Sequence, residues 1–205
     1  MGAILRSPRF WVFGLCLVPL ARLIVLGVSG GLGANPIEFI TRSTGTWTLV
    51  GLLLTLSITP LRRLSGQTGL IRYRRMLGLF SFFYACLHFV TYLWLDQFFD
   101  PAAIARDIVK RPFITIGFSA FVLLIPLAAT STHAMMRRLG RRWQQLHRLV
   151  YVIALLGVTH YLWLVKKDMT EPLIYGGVLL LLLALRLQWS ADLMRVVRNR
   201  FVPAR

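Results

Sequence analysis

Six long apolar segments divide this sequence, and they constrain its fold more than any other feature. The segments cover residues 10–28, 46–61, 76–95, 113–132, 146–165 and 172–189. Most are close to the roughly 20 residues that an α-helix needs to cross a hydrocarbon layer about 30 Å thick. The pattern predicts an all-α fold, a bundle of six transmembrane helices that forms a single domain over residues 1–205.

The composition excludes several other classes of protein. Only 15% of the residues are charged and 57% are hydrophobic, although the net charge is +17. A basic nucleic-acid binder does not carry this much Leu, Ile, Val and Phe, so we expect no nucleic-acid partner. The basic connections favour contact with anionic membrane lipids. Two other interpretations stay open: the basic connections hold the phosphate of a flavin, or these connections contact an acidic soluble partner.

The distribution of charge predicts how the helices are oriented in the membrane. Most of the 24 Lys and Arg residues lie near the two termini and in the connections after the second and fourth segments. The remaining connections carry six of the seven acids, which are Glu38, Asp96, Asp100, Asp107, Asp168 and Glu171. Because positive charge stays on the cytoplasmic side, both termini are predicted to be cytoplasmic.

Two histidines are the strongest candidates for a cofactor site, because an ionisable side chain within a membrane span indicates function. His88 in the third segment and His160 in the fifth are predicted to lie at similar depth, toward the acidic connections. Two facing neutral imidazoles can ligate one iron in a flat macrocycle, as in a bis-histidine heme suited to electron transfer. The alternative is a non-redox carrier or scaffold whose histidines bridge helices. The surrounding aromatic residues are Phe82, Phe83, Tyr84, Phe89, Tyr92, Tyr161 and Trp163.

His147 raises the question of a second heme near the cytoplasmic face. It precedes His160 by 13 residues, which is about 20 Å along a helix. A regular helix places the side chains of His147 and His160 on different faces. For both to lie on one face, the helix needs a bulge, for which Gly157 is the candidate position. At the depth of His147, the third segment has arginines where the second histidine ligand of such a heme would be needed. The number of hemes therefore stays open at one or two. His133 is predicted to be a solvated interfacial residue, and the alternative that it is an unusual ligand of an inner heme stays open.

Several segments of the chain resemble a known family. They are GGLGANPIEFITRSTGTW, LIRYRRMLGL, KRPFITIGF, TSTHAMMRRLGRRWQQLHRLVY and HYLWLVKKD. Together they resemble the MsrQ family, the heme-binding membrane subunits of bacterial periplasmic methionine sulfoxide reductase systems, within the wider ferric reductase-like transmembrane group. The resemblance covers residues 30–189, which is most of the chain.

The resemblance implies a multi-pass cytochrome of the bacterial inner membrane that contains heme b and is also described with FMN. Its electrons come from the quinol pool or a cytosolic flavin reductase and pass to MsrP, a periplasmic molybdenum enzyme that reduces methionine sulfoxide in envelope proteins. The matching histidines are His88, His147 and His160, whereas no residue is assigned to FMN. We therefore expect an electron-transfer subunit without catalytic residues of its own. The alternative is a stand-alone transmembrane heme reductase of metal ions or quinone.

Overall fold

The computed structural model of the chain describes residues 7–166 and 168–201, with side chains up to Gln188. All secondary structure in this part of the chain is helical. The long helices are α1 (Pro8–Val28), α2 (Pro36–Ser65), α3 (Ile71–Thr91), α5 (Pro112–Ala129), α8 (Leu149–Leu164) and α9 (Thr170–Phe201). The shorter elements are a 3-10 turn (Thr68–Leu70), a π-helical turn (Tyr92–Asp96), α4 (Pro101–Lys110), α6 (His133–Leu139) and α7 (Arg141–Leu146).

Within the described part of the chain, six helical segments are long and apolar enough to cross a membrane, which agrees with the predicted fold class and number of spans. They are Pro8–Val28, Pro36–Ser65, Thr68–Asp96, Pro112–Ala129, Arg141–Leu164 and Thr170–Gln188. Many of their large apolar side chains are exposed on the outside of the bundle, such as Val25 and Leu180, as expected where lipid is the solvent. The chain ends, residues 1–6 and 202–205, lie outside the described residues, so their cytoplasmic location stays a prediction.

The second span begins ten residues earlier than the sequence predicts, at Pro36 rather than at residue 46. Asn35 caps this end, because its side chain accepts a hydrogen bond from the backbone N–H of Glu38 at 3.2 Å. One turn later Arg42 pairs with Glu38 at 2.7 Å. These polar contacts stabilise a helix start that lacks an apolar pattern, and the added turns form part of the site described below.

The fifth span is not a single regular helix. The chain forms α7, makes a turn at His147 and Arg148, and continues as α8. The indole N–H of Trp143 donates to the carbonyl of Thr130 at 3.0 Å, which attaches α7 to the end of α5. The helix α8 is regular at Gly157, the candidate position for a bulge, and the interruption lies at His147 itself.

The core of the bundle lies between α2, α3, α5 and α8. Its buried apolar residues include Leu52, Leu56, Leu124 and Ile153. Small residues let α2 and α3 approach closely: a Cβ atom added to Gly51 would lie 2.5 Å from Ser81 Oγ. Close packing of this kind holds membrane helices together where lipid removes the hydrophobic driving force.

Tyr84 of α3 attaches the first helix to this core. Its hydroxyl donates to the carbonyl of Cys16 at 2.7 Å and accepts from the backbone N–H of Leu20 at 3.2 Å. These two groups are four residues apart on α1, on either side of Pro19, which has no N–H of its own. The tyrosine hydroxyl therefore satisfies backbone groups at a proline-disrupted turn.

We expect Tyr84→Phe to destabilise the protein by about 1–2 kcal/mol, because it leaves two backbone groups without their partner in an apolar setting. The measurement is the thermal unfolding midpoint in detergent. Tyr73→Phe is the matched control, since Tyr73 lies on the same helix and its hydroxyl has no hydrogen-bond partner among the described residues. Equal midpoints for the two variants would contradict the role of the Tyr84 hydroxyl.

Candidate functional site

A cavity of about 330 Å³ lies between α2, α3, α5 and α8, toward the acidic connections. This volume is within the range of small-molecule and cofactor sites. Most of its lining is apolar, with Leu49, Leu124 and Ile153 at its inner wall. Both His88 and His160 line it, and we call it the histidine cavity.

The two histidines predicted to face each other do so in the structure. The centroids of the His88 and His160 rings are 6.3 Å apart, and the ring planes are 73° from each other. A metal–imidazole bond is about 2.0 Å long, and a five-membered ring has a radius of about 1.1 Å, so a linear imidazole–metal–imidazole unit separates the centroids by about 6.2 Å. The observed spacing therefore fits two axial ligands of one metal.

Hydrogen bonds to backbone carbonyls orient both rings. His88 Nδ1 lies 2.9 Å from the carbonyl oxygen of Thr41 on α2. His160 Nδ1 lies 2.6 Å from the carbonyl oxygen of Phe113 on α5. Because a carbonyl only accepts, each Nδ1 carries the proton and each Nε2 keeps its lone pair. No described residue forms a hydrogen bond to either Nε2, so both lone pairs are free to bind a metal.

A glycine faces each ring and lets it approach the neighbouring helix. A Cβ atom added to Gly45 would lie 3.1 Å from His88 Cε1, and one added to Gly117 would lie 2.7 Å from His160 Nδ1. Each glycine follows, by four residues, the carbonyl to which the histidine is bonded. The same arrangement thus holds one imidazole against α2 and the other against α5.

The aromatic lining is partly the one that the sequence predicts. Phe89, Tyr92 and Tyr161 line the histidine cavity. Phe83 and Trp163 are exposed instead, and Tyr84 contacts α1. The aromatic residues that α5 adds to the lining, Phe113, Phe118 and Phe121, were not predicted from the sequence. These rings close an apolar wall around the imidazoles.

The other two histidines lie apart from this pair. The ring of His147 stacks on Trp143 with centroids 3.8 Å apart, and its Nδ1 is 3.1 Å from the Trp143 carbonyl oxygen. Its Nε2 is buried without a hydrogen-bond partner. No other histidine ring contacts it among the described residues. His133 begins α6 and is exposed, as predicted.

The available ligand atoms limit the kind of metal site. Among the described side chains, those of residues 7–166 and 168–188, no group of three or more His, Cys, Asp or Glu is placed to hold a metal ion. Two opposed imidazoles in an apolar cavity suit a metal whose remaining ligands come from a planar macrocycle. Fold and site together define a multi-pass helical bundle with a paired-imidazole site in its apolar interior.

Comparisons with known proteins agree with this class. Residues 44–158 match the family described as ferric reductase like transmembrane component. Three relatives are named protein-methionine-sulfoxide reductase heme-binding subunit MsrQ. The one from Ralstonia nicotianae is 61% identical over 90% of this chain and 87% of its own. Those from Herminiimonas arsenicoxydans and Rhodospirillum rubrum are 60% and 57% identical, over 87% and 89% of this chain and 84% and 88% of their own.

The chain therefore belongs to the MsrQ family. No solved structure was found that matches it.

Proposed function

We propose that this protein is a heme b subunit that carries electrons across the bacterial inner membrane to the periplasmic reductase MsrP, in support of methionine sulfoxide repair in envelope proteins. The observation that carries the proposal is the 6.3 Å spacing of the His88 and His160 rings in an apolar cavity. The relatives' printed description as heme-binding subunits supports the identity of the cofactor.

The residues of this chain would hold and insulate the heme. His88 and His160 would hold the iron through their Nε2 atoms, and the carbonyls of Thr41 and Phe113 orient the two rings. When bound, heme b supplies an iron that gains and loses one electron. An iron held by both imidazoles would have no position for a substrate, and the apolar walls of the cavity would exclude water. The site therefore favours electron transfer over chemistry at the iron.

The distribution of charge supports a direction for the electrons. We place the acidic connections in the periplasm and the basic connections in the cytoplasm, with both termini, because positive charge remains inside. The histidine cavity then lies toward the periplasm, on the side of MsrP. Its electrons come from the quinol pool or from a cytosolic flavin reductase.

His147 is our candidate ligand for a second heme on the cytoplasmic side. Its Nε2 is buried and makes no well-formed hydrogen bond, although the backbone of Leu127 lies near the ring. Its second axial ligand would be a residue other than histidine. FMN remains part of the proposal without an assigned residue. The ratio of extracted heme to protein distinguishes one heme from two, and flavin fluorescence after acid precipitation tests for FMN.

The central test is spectroscopic. The detergent-purified protein should show a heme Soret band that shifts on reduction with dithionite. A folded preparation without that band contradicts the proposal.

The second test concerns the partner. The prereduced protein should be reoxidised on addition of purified MsrP, followed by the loss of the reduced heme bands. Failure to transfer electrons to MsrP, together with reoxidation by a ferric chelate or by a quinone, would favour a stand-alone reductase.

A further inference from the structure

The charged residues that line the histidine cavity lie where the cavity opens to the surface, which we call its mouth. Among the described residues that line the cavity, these are Arg42, Arg111 and Asp96. Both arginine side chains are about half exposed, with relative accessibilities of 58% and 55%. The two guanidiniums therefore lie where an apolar interior meets a polar surface.

Each arginine is held by an acid one helical turn away. Arg42 pairs with Glu38 at 2.7 Å, and Arg111 pairs with Asp107 at 3.3 Å. Asp107 also accepts a hydrogen bond from Gln97 at 3.1 Å. A guanidinium has five N–H donors, so one carboxylate partner leaves donors for another. These acids hold the arginine side chains in place, and each guanidinium keeps N–H donors with which it can bind an anion.

The arginines also occur next to the groups that orient the imidazoles. Arg42 follows Thr41, whose carbonyl accepts from His88. Arg111 precedes by two residues Phe113, whose carbonyl accepts from His160. Arg111 is also the residue before α5, and the N-terminal end of a helix carries partial positive charge. Positive charge is thus fixed beside both halves of the paired-imidazole site.

We propose that Arg42 and Arg111 bind the two propionate carboxylates of the heme, an inference that rests on the proposed function. A carboxylate is costly to bury in an apolar cavity, so the propionates must reach a polar, cationic edge. Guanidinium binds carboxylate through paired, charge-assisted hydrogen bonds. Arg42 and Arg111 thereby determine the orientation of the heme about the axis that joins the two imidazoles.

The test compares heme with heme dimethyl ester, in which both carboxylates are blocked. Protein freed of heme is titrated with each porphyrin, and the dissociation constants are taken from the Soret band. The wild type should bind heme more tightly than the ester. In the double variant Arg42→Gln/Arg111→Gln the affinity for heme should fall roughly tenfold to a hundredfold, whereas the affinity for the ester should stay within about twofold.

The ester also controls for folding, because a misfolded variant loses both porphyrins. Arg106→Gln is the matched control, since Arg106 lies on α4, is exposed and does not line the cavity. Its preference for heme over ester should equal that of the wild type. Equal binding of both porphyrins by the wild type, or an unchanged preference in the double variant, overturns the propionate assignment alone. Binding of neither porphyrin by the folded wild type overturns the proposed heme site as well.

Discussion

Replacing His160 with alanine should remove most of the heme from the purified protein, and His88→Ala should do the same. On the proposed assignment, each change would take away one of two axial ligands and leave an apolar gap beside the iron. We expect at least a roughly tenfold lower Soret absorbance per folded protein. The measurement is heme content at matched gel-filtration and circular dichroism profiles.

The other two histidines provide the contrast for this result. His133→Ala should retain all of the heme, because His133 is exposed on α6 and lies outside the cavity. His147→Ala should leave the heme at the paired site intact and remove only a second one. Full heme with unchanged bands in the His160→Ala protein would show that the paired assignment is wrong.

Added imidazole separates a ligand role from a structural one. When the His160→Ala protein is supplied with heme, free imidazole should occupy the space that the side chain leaves and restore the six-coordinate spectrum. A ring that only bridges helices would not be replaced in this way. The ring planes, 73° apart, further predict the strongly anisotropic ferric electron paramagnetic resonance signal of crossed axial imidazoles in the wild type.

The sequence was sufficient to predict the spans and the facing histidines. Apolar length identifies a membrane helix, and a rise of about 1.5 Å per residue converts position into depth. His88 and His160 occur in spans that run in the same direction, so the sequence alone allows their depths to be compared. In the structure the centroids of the two rings are 6.3 Å apart, so the two residues lie at similar depth, as predicted.

The residues that hold the two imidazoles in place could not be predicted in the same way. The turn from Thr41 to Gly45 lies in a polar stretch that lacks a hydrophobic pattern, although its helix is stabilised by Asn35 and Arg42. Which glycine lies against which imidazole depends on the crossing of helices that are far apart in the sequence. The turn at His147 likewise depends on contacts of α7 with the end of α5. Arg42 and Arg111 lie among other charged residues of the same connections, such as Lys110 beside Arg111, so no sequence signal singles them out.

Substitution of the two glycines tests whether their missing side chains set the iron coordination. In Gly117→Ala the new Cβ would lie 2.7 Å from His160 Nδ1 and 2.9 Å from Cε1, so the ring must move off α5 and lose its bond to the Phe113 carbonyl. We expect a five-coordinate fraction that binds carbon monoxide after reduction, which six-coordinate ligation excludes. Difference spectra with and without carbon monoxide measure this fraction.

The size of the effect should follow the space that the structure allows at each glycine. Gly45→Ala should produce a smaller carbon monoxide-binding fraction, because its Cβ would lie 3.1 Å from His88 and a small ring shift relieves the contact. Gly177→Ala is the control, since a Cβ there meets nothing within 4 Å and alanine favours the helix by about 1 kcal/mol. It should leave the spectrum unchanged. If Gly117→Ala binds no more carbon monoxide than Gly177→Ala, the imidazoles do not depend on these glycines. A graded series in the order Gly117, Gly45, Gly177 would instead show that the neighbouring helices determine how firmly each ring is held on the iron.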